Sequence, residues 1–219
     1  MFLVIGSVLS PAEVSAIREL TADAVFEDGR ATAGRFAREV KRNEQAAPGA
    51  ALDAVFAKVE AALMANPLFV SAARPRSVAR LLMSRYRPGM EYGSHVDDAI
   101  MGGQRTDLSF TLFLSDEDSY EGGALVVEDT IEDRAIRLSP GDMVLYPSNT
   151  LHRVEPVSRG ERLAVVGWAT SWVRDPARRE ILFDLDAAVA EVHAAAGKTV
   201  LFDRLARTRS NLLRMWAEG

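Results

Sequence analysis

The segment LSPGDMVLYPSNTLHRVEPVSRGER, residues 138–162, indicates the class of fold most directly. It contains two short runs of β-branched, aromatic and other apolar residues, with turn-forming Pro, Gly, Ser and Asn around them. Runs of this length between such turns are typical of β-strands. The segment therefore predicts two strands, near residues 143–147 and 151–157, within a β-rich region.

The same pattern of short apolar runs between turn-forming residues extends outward from this segment and begins at Val78. Strand-like runs alternate with clusters of Gly, Pro, Asp and Asn, and they predict eight strands, near 78–86, 91–97, 106–114, 124–128, 134–138, 143–147, 151–157 and 162–172. Eight short strands with close turns are typical of a closed or double-sheet β architecture of the jelly-roll kind.

Helical patterns flank this β region on its N-terminal side. After a short first strand, Ser10-Pro11-Ala12-Glu13 has the residues of a capping box and predicts a helix start. A second helix is predicted to end at Asn66-Pro67, because apolar residues recur at helical spacing before it: Leu52, Val55, Phe56, Val59 and Leu63. The polar stretch from Glu27 to Pro48 is predicted to be a mobile or partly disordered loop.

Helices are also predicted after the β region. Asp175-Pro176 predicts a start, Gly197 a stop, and a last helix is expected from about Thr199 to Trp216. The fold class predicted is therefore α+β. We expect N-terminal elements (1–77), a jelly-roll core (78–174) and a C-terminal helical extension (175–219).

The composition is that of a globular protein of one main domain. Of the 219 residues, 48% are hydrophobic and 26% charged, and the net charge of -5 argues against nucleic acid as a partner. No apolar run reaches membrane-spanning length, and MFLVIGSVLS reads as a strand and not as a signal peptide. The absence of cysteine excludes disulfides and thiolate metal sites, and it fits a cytoplasmic location.

Two of the three histidines lie in the predicted β region. His95 and Asp97 are two apart in a predicted strand and share one face, whereas Asp98 would point to the other. His152 follows the turn PSNT, and a rolled sheet could bring it to the same place. Two imidazoles and one carboxylate form the 2-His-1-carboxylate ligand set of non-haem iron(II) oxygenases. The sequence therefore predicts a metal site at His95, Asp97 and His152.

Arg162 is the fourth candidate, ten residues after His152 on the next predicted strand. An arginine inside a barrel needs an anionic partner, and its planar fork suits a carboxylate. A dicarboxylic keto acid could chelate iron at one end and leave its other carboxylate for Arg162.

Each of these residues also has an ordinary structural interpretation. His-x-Asp pairs are common, a strand histidine can be satisfied by a carbonyl, and an arginine is more often part of a surface ion pair. His193, with no partner at a suitable spacing, is interpreted as a solvated side chain. Two functional alternatives are a cupin-like metal protein that does not use 2-oxoglutarate, and a non-catalytic binding module. The first cupin motif needs His-x-His and a glutamate, which His95-Val96-Asp97 does not supply.

Four segments in order resemble one enzyme family: RYRPGMEYGSHVD (85–97), RTDLSFTLFLSD (105–116), YEGGALVVED (120–129) and the 138–162 segment. They resemble the prolyl-4-hydroxylase-like branch of the iron(II)- and 2-oxoglutarate-dependent oxygenases. The whole chain is similar to bacterial PKHD-type hydroxylases, also called iron-uptake factors. The resemblance implies a double-stranded β-helix core, Fe(II) bound by His95, Asp97 and His152, 2-oxoglutarate bound by Arg162, and ascorbate as an accessory reductant.

The resemblance also suggests roles for tyrosines and shows two departures. Tyr86 matches the tyrosine that hydrogen-bonds the co-substrate in prolyl hydroxylases, and Tyr92 is interpreted as a structural neighbour. Ala164 stands where many relatives have serine, and Phe113 where several prolyl hydroxylases have tyrosine. Other hydroxyl groups are therefore expected around the far carboxylate of 2-oxoglutarate.

The implied reaction is hydroxylation of a substrate C–H bond, with 2-oxoglutarate converted to succinate and carbon dioxide. The carboxylate of Asp97 favours hydroxylation, because halogenating relatives have no carboxylate at that position. The substrate is expected to be a small molecule or a peptidyl group of unknown identity. The apolar stripes of the tail helices are expected to pack either on the flank of the barrel or against the partner in a homodimer.

Overall fold

Two antiparallel β-sheets form the centre of the structure, a computed structural model that describes residues 1–129 and 132–218. The first strands are β1 (Leu3–Ile5), β2 (Phe26–Asp28), β3 (Lys41–Arg42), β4 (Glu44–Ala46), β5 (Pro75–Tyr86), β6 (Glu91–His95), β7 (Ile100–Met101) and β8 (Gln104–Arg105). They are followed by β9 (Leu108–Phe113), β10 (Tyr120–Gly122), β11 (Leu125–Val127), β12 (Arg134–Ile136), β13 (Met143–Pro147), β14 (His152–Val154), β15 (Val157–Gly160) and β16 (Arg162–Ser171).

The major sheet has the order β1-β13-β9-β16-β5-β4-β2, and the minor sheet has the order β12-β11-β14-β6-β3. The hairpin β7-β8 and a separate two-stranded sheet, β10-β15, contain the remaining strands. The inner faces of the two sheets pack against one another through a shared apolar cluster that includes Tyr86, Phe113, Leu125, Tyr146 and Val154. The predicted α+β fold with a double-sheet core is therefore confirmed.

Five helices cover this core: α1 (Pro11–Leu20), α2 (Ala50–Ala65), α3 (Pro67–Ala73), α4 (Pro176–Ala196) and α5 (Val200–Trp216). The predicted capping box starts α1, since Ser10 and Glu13 hydrogen-bond each other's backbone N–H groups. Buried side chains of α1, α2 and α3 pack on the outer face of the major sheet, among them Ile17, Val55 and Phe69.

Asn66-Pro67 was predicted only as a helix end, but it also begins a helix. The Asn66 side chain accepts hydrogen bonds from the N–H groups of Leu68 and Phe69, 3.0 Å each, and thereby caps α3. None of the described helices alone is long and apolar enough to cross a membrane; the bent pair α2 and α3 passes that test jointly, by length and composition only.

The prediction of a mobile or partly disordered loop from Glu27 to Pro48 is wrong. It contains β3, β4, most of β2 and two 3-10 turns, Gly29–Thr32 and Ala37–Val40. β4 pairs with β5 and β3 pairs with β6, so this segment extends both sheets. The prediction failed because polar residues are typical of exposed loops, whereas Lys41, Asn43 and Gln45 are buried and line a central cavity.

Candidate metal centre

His95 and His152 are directly opposite each other on the paired strands β6 and β14. The Nδ1–H of His95 donates to the carbonyl of Gly93 (2.9 Å), and that of His152 donates to the carbonyl of Thr150 (3.0 Å). Because a carbonyl can only accept, each neutral ring keeps its lone pair on Nε2. This is the tautomer in which Nε2 can bind a metal.

The carboxylate of Asp97 lies between the two imidazoles. Its oxygens are 3.9 Å from His95 Nε2 and 3.8 Å from His152 Nε2, and one ligand atom from each of the three residues lies within 4.8 Å of the others. Strand β6 ends at His95, so strand parity does not orient Asp97. Asp98 is exposed, and its carboxylate lies against Gly34. The structure thus brings the three predicted residues together, although the parity argument for them was incomplete.

Burial, together with the charge of the neighbouring His152, lowers the pKa of His95 to about 4. The ring of Tyr92 stacks on His95 with 3.6 Å between centroids, and Tyr146 contacts His152 edge-on at 5.2 Å. These aromatic rings keep water from the histidines. Two buried imidazoles next to one carboxylate are suited to a divalent cation.

The low pKa of His95 predicts that the metal-free protein loses stability as the pH falls from about 6.5 to about 4. In this range the unfolded chain protonates His95 near its ordinary value of 6.5, whereas the folded protein does not until about 4. Unfolding therefore takes up a proton. The free energy of unfolding falls by up to about 1.4 kcal/mol for each pH unit by which the pH is lowered in this range. Thermal unfolding of the metal-free protein between pH 7.5 and 4.5 measures this. His95→Gln should show a shallower dependence, and an unchanged slope would contradict the assignment.

Ser109 is a site residue that the sequence reading missed. Its hydroxyl donates to the Asp97 carboxylate over 2.6 Å, and the hydroxyl of Ser148 is 2.8 Å from Ser109 Oγ. Ser109 lies on β9, whose six residues are all buried, and an apolar-looking strand gave no signal for it. Its role is to orient the carboxylate between the imidazoles.

We expect Ser109→Ala to weaken metal binding by roughly 10–100-fold, the usual effect of losing an outer hydrogen bond to a metal ligand. Calorimetric titration of the metal-free protein with Fe(II) under anaerobic conditions measures the change. Ser148→Ala is the matched control, because Ser148 lies one bond further from Asp97 and should have the smaller effect. Equal effects of the two substitutions would contradict this positioning role.

Arg162 lies at the start of β16, opposite Tyr86 on β5, with 1% of its surface exposed. Its Cζ is 5.3 Å from the centroid of the Tyr86 ring and 5.2 Å from that of Phe113. All three guanidinium nitrogens are buried and lack a hydrogen-bond partner among the described residues. Burial lowers the pKa of Arg162, and the nearby Tyr86, Tyr120 and Tyr146 partly offset this. An unpaired buried guanidinium requires an anionic partner.

Tyr120 is a second residue that sequence reasoning missed near Arg162. It is 1% exposed, and its hydroxyl, like the arginine nitrogens, is buried without a hydrogen-bond partner in the described chain. Gly123 allows this packing: it has φ +64°, and a Cβ there would lie 2.8 Å from Val157 Cγ2 and 3.1 Å from Arg162 Cδ. Ala164 is buried and pairs with Phe113, so the hydroxyls near Arg162 come from tyrosines and not from these two positions.

Known proteins identify the family. A model of the 2OG-Fe(II) oxygenase superfamily matches residues 81–170, and one of the PKHD-type hydroxylase C-terminal domain matches residues 176–218. A PKHD-type hydroxylase of Maricaulis maris is 52% identical over 218 residues, covering 100% of both chains. This chain belongs to the PKHD-type hydroxylases. It is therefore an iron(II)- and 2-oxoglutarate-dependent dioxygenase, and the predicted family, enzyme class and two main cofactors are confirmed.

Solved structures extend the comparison to the fold. This PKHD-type hydroxylase is similar to a Pseudomonas putida prolyl-4-hydroxylase, with a TM-score of 0.54 and 21% identity over 78% of this chain and 92% of the other. It is also similar to HygX of Streptomyces hygroscopicus, solved with nickel and 2-oxoglutarate bound, with a TM-score of 0.58 and 16% identity over 78% and 84% of the two chains. At these identities the likeness shows a shared jelly-roll fold.

Proposed function

We propose that this PKHD-type hydroxylase binds Fe(II) through His95, Asp97 and His152, and 2-oxoglutarate through Arg162. The observation that carries the metal assignment is the convergence of three ligand atoms within 4.8 Å, two of them Nε2 atoms left free by Nδ1–H···O=C bonds. Iron(II) accepts two imidazoles and one carboxylate and retains open positions for co-substrate and oxygen.

The surroundings of Arg162 support the co-substrate assignment. A carboxylate is acceptor-only, and the three unpaired guanidinium nitrogens and the unpaired Tyr120 hydroxyl offer only the donors that it needs. Tyr86 lies beside them, and burial raises the pKa of its hydroxyl to about 12, so it remains a donor at neutral pH. We assign Tyr86 and Tyr120 as hydrogen-bond donors that assist Arg162.

When bound, iron(II) would supply the oxidising chemistry together with 2-oxoglutarate and dioxygen: one oxygen atom of O2 enters the succinate that forms as 2-oxoglutarate loses carbon dioxide, and the other is inserted into a substrate C–H bond. The residues of the chain hold and orient the reactants. His95, Asp97 and His152 would hold the metal, and the hydrogen bond from Ser109 fixes the orientation of the Asp97 carboxylate. Arg162 is 1% exposed, and the scarcity of water around its guanidinium would strengthen its charge interaction with a bound carboxylate.

Succinate formation tests this proposal. Purified protein with Fe(II) and 2-oxoglutarate should release succinate, and the rate should fall with chelation of the metal. Addition of a metabolite or peptide mixture should increase the rate and yield a product heavier by one oxygen atom. Absence of iron-dependent succinate release would contradict the proposal and favour the cupin-like alternative, for which no residue of the site gives support.

We propose ascorbate as an accessory reductant from the resemblance to prolyl hydroxylases, and a small-molecule or peptidyl substrate. A cytoplasmic location fits the cysteine-free sequence. The division into 1–77, 78–174 and 175–219 is supported by the separation of the two family matches between residues 170 and 176. Exposed Val200, Leu201 and Met215 on α5 support a homodimer.

A further inference from the structure

The central cavity contains two cations in addition to Arg162. Lys41 on β3 and Arg80 on β5 both line it, together with the proposed iron ligands. Lys41 is opposite Tyr92 in the β3–β6 pairing, and its Nζ is 5.0 Å from the centroid of that ring, which in turn stacks on His95. These contacts put Lys41 on the metal side of the cavity.

Neither cation has an acidic partner in the described part of the chain. Lys41 is only 5% exposed, and its one hydrogen bond is to the neutral hydroxyl of Thr32, at 3.1 Å. Arg80 is exposed to solvent and forms no hydrogen bond or ion pair with any described residue. The cavity has two carboxylates: Asp97 lies between the histidines, and exposed Asp98 lies against Gly34. The buried Lys41 ammonium is attracted by the carboxylates of Asp97 and Asp28, but neither of them forms an ion pair with it, so an anion in the cavity would stabilise this arrangement.

A third donor lines the same part of the cavity. Trp168, 9% exposed, is opposite Arg80 in the β16–β5 pairing, and its indole N–H is buried without a hydrogen-bond partner among the described residues. An indole N–H can only donate. Lys41, Arg80 and Trp168 therefore contribute donors from both sheets to one cavity.

This group of donors is separate from the Arg162 end of the cavity. Trp168 is six residues beyond Arg162 on β16, a Cα separation of roughly 20 Å along the strand. On its other side Trp168 is opposite Ser109, the residue that hydrogen-bonds Asp97. The three donors therefore lie near the metal ligands, where the group to be oxidised must be held.

We propose that Lys41, Arg80 and the indole N–H of Trp168 form a subsite for an anionic group of the substrate, a carboxylate or a phosphate ester. The inference rests on the proposed function, because that function assigns Arg162 to 2-oxoglutarate. Lys41, Arg80 and Trp168 are then left to bind the substrate. A substrate with its anion bound here would present a neighbouring C–H bond to the metal. The subsite would select acidic substrates over neutral analogues.

Binding of inorganic phosphate tests the subsite. Anaerobic protein loaded with Fe(II) and saturating 2-oxoglutarate, which occupies Arg162, is dialysed to equilibrium against labelled phosphate at constant chloride. Wild-type protein should bind phosphate, and Lys41→Met and Arg80→Met should each bind it roughly tenfold or more weakly. Arg76→Met is the matched control: Arg76 is on the same strand, stacks on Trp172 and does not line the cavity.

Acetate as competitor distinguishes the two anion types. Displacement of phosphate by acetate at similar concentration supports a carboxylate, and failure to displace it supports a phosphate ester. No phosphate binding by the wild type, or unchanged binding in both Lys41→Met and Arg80→Met, would overturn the subsite. The proposed function fails separately, if Arg162→Met retains wild-type affinity for 2-oxoglutarate.

Discussion

Replacing Asp97 with alanine should abolish 2-oxoglutarate turnover and reduce Fe(II) affinity at least about 100-fold, more than the loss of an outer hydrogen bond would. Asp97 supplies the one anionic ligand of the set, and without it two neutral imidazoles must hold a divalent cation in a desolvated cavity. Anaerobic calorimetry with Fe(II) and an assay of succinate release measure the two effects.

Asp98→Ala is the matched control for Asp97→Ala, because it removes the adjacent carboxylate, which is exposed and lies against Gly34. This variant should retain Fe(II) affinity. Asp97→Asn is a nearly isosteric second variant that keeps the size of the side chain next to Ser109, and it should lose the metal as Asp97→Ala does. Retention of affinity by both Asp97 variants, with folding verified by thermal unfolding, would refute the ligand assignment.

Arg162→Met should weaken 2-oxoglutarate binding by roughly 30- to 5000-fold, the range expected when one partner of a buried charge pair is truncated. The same substitution should leave the ligand-free protein equally stable or more stable. Its guanidinium has no hydrogen-bond partner among the described residues, and an apolar side chain of similar length avoids the cost of burying that charge. Calorimetric titration with 2-oxoglutarate and thermal unfolding of the ligand-free protein measure the two results.

Arg85→Met, on the neighbouring strand β5, is the matched control for Arg162→Met and should have the opposite effects on stability and on 2-oxoglutarate affinity. Arg85 forms a 2.7 Å ion pair with Glu44, and its Cζ is 3.7 Å from the centroid of the Phe26 ring, so it has a structural role. Its replacement should lower stability and leave 2-oxoglutarate affinity unchanged. If instead Arg162→Met lowers stability and keeps 2-oxoglutarate affinity, Arg162 is structural and the co-substrate assignment is wrong.

The candidate metal ligands could be selected from the sequence because residues that can bind iron through an imidazole are rare in this chain. Only three histidines occur, and the two that were selected, His95 and His152, prove to be directly opposite on β6 and β14. Local rules also predicted helix starts well, since the Ser10 capping box depends only on neighbouring residues. Strand parity was less successful, because β6 ends at His95 and Asp97 lies in the irregular segment beyond it, where Ser109 hydrogen-bonds its carboxylate.

The residues that complete the cavity could be recognised only in the folded chain. Lys41, Asn43 and Gln45 looked like part of a polar loop, yet pairing of β3 and β4 with distant strands buries them. Ser109 and Tyr120 are ordinary strand residues until the packing of the sheets brings them to Asp97 and Arg162.

The sequence by itself determined the β-rich core, the helix boundaries set by local caps and the small set of residues able to bind iron. Tertiary structure decided the register between strands, and with it which polar side chains face one cavity without a partner. Helix caps and turns arise from neighbouring residues, whereas strand pairing joins residues far apart in the chain. For that reason two facts appear only in the folded protein: among the described residues Arg162 has no hydrogen-bond partner, and Lys41 has no ion-pair partner. Both anion sites are inferred from them.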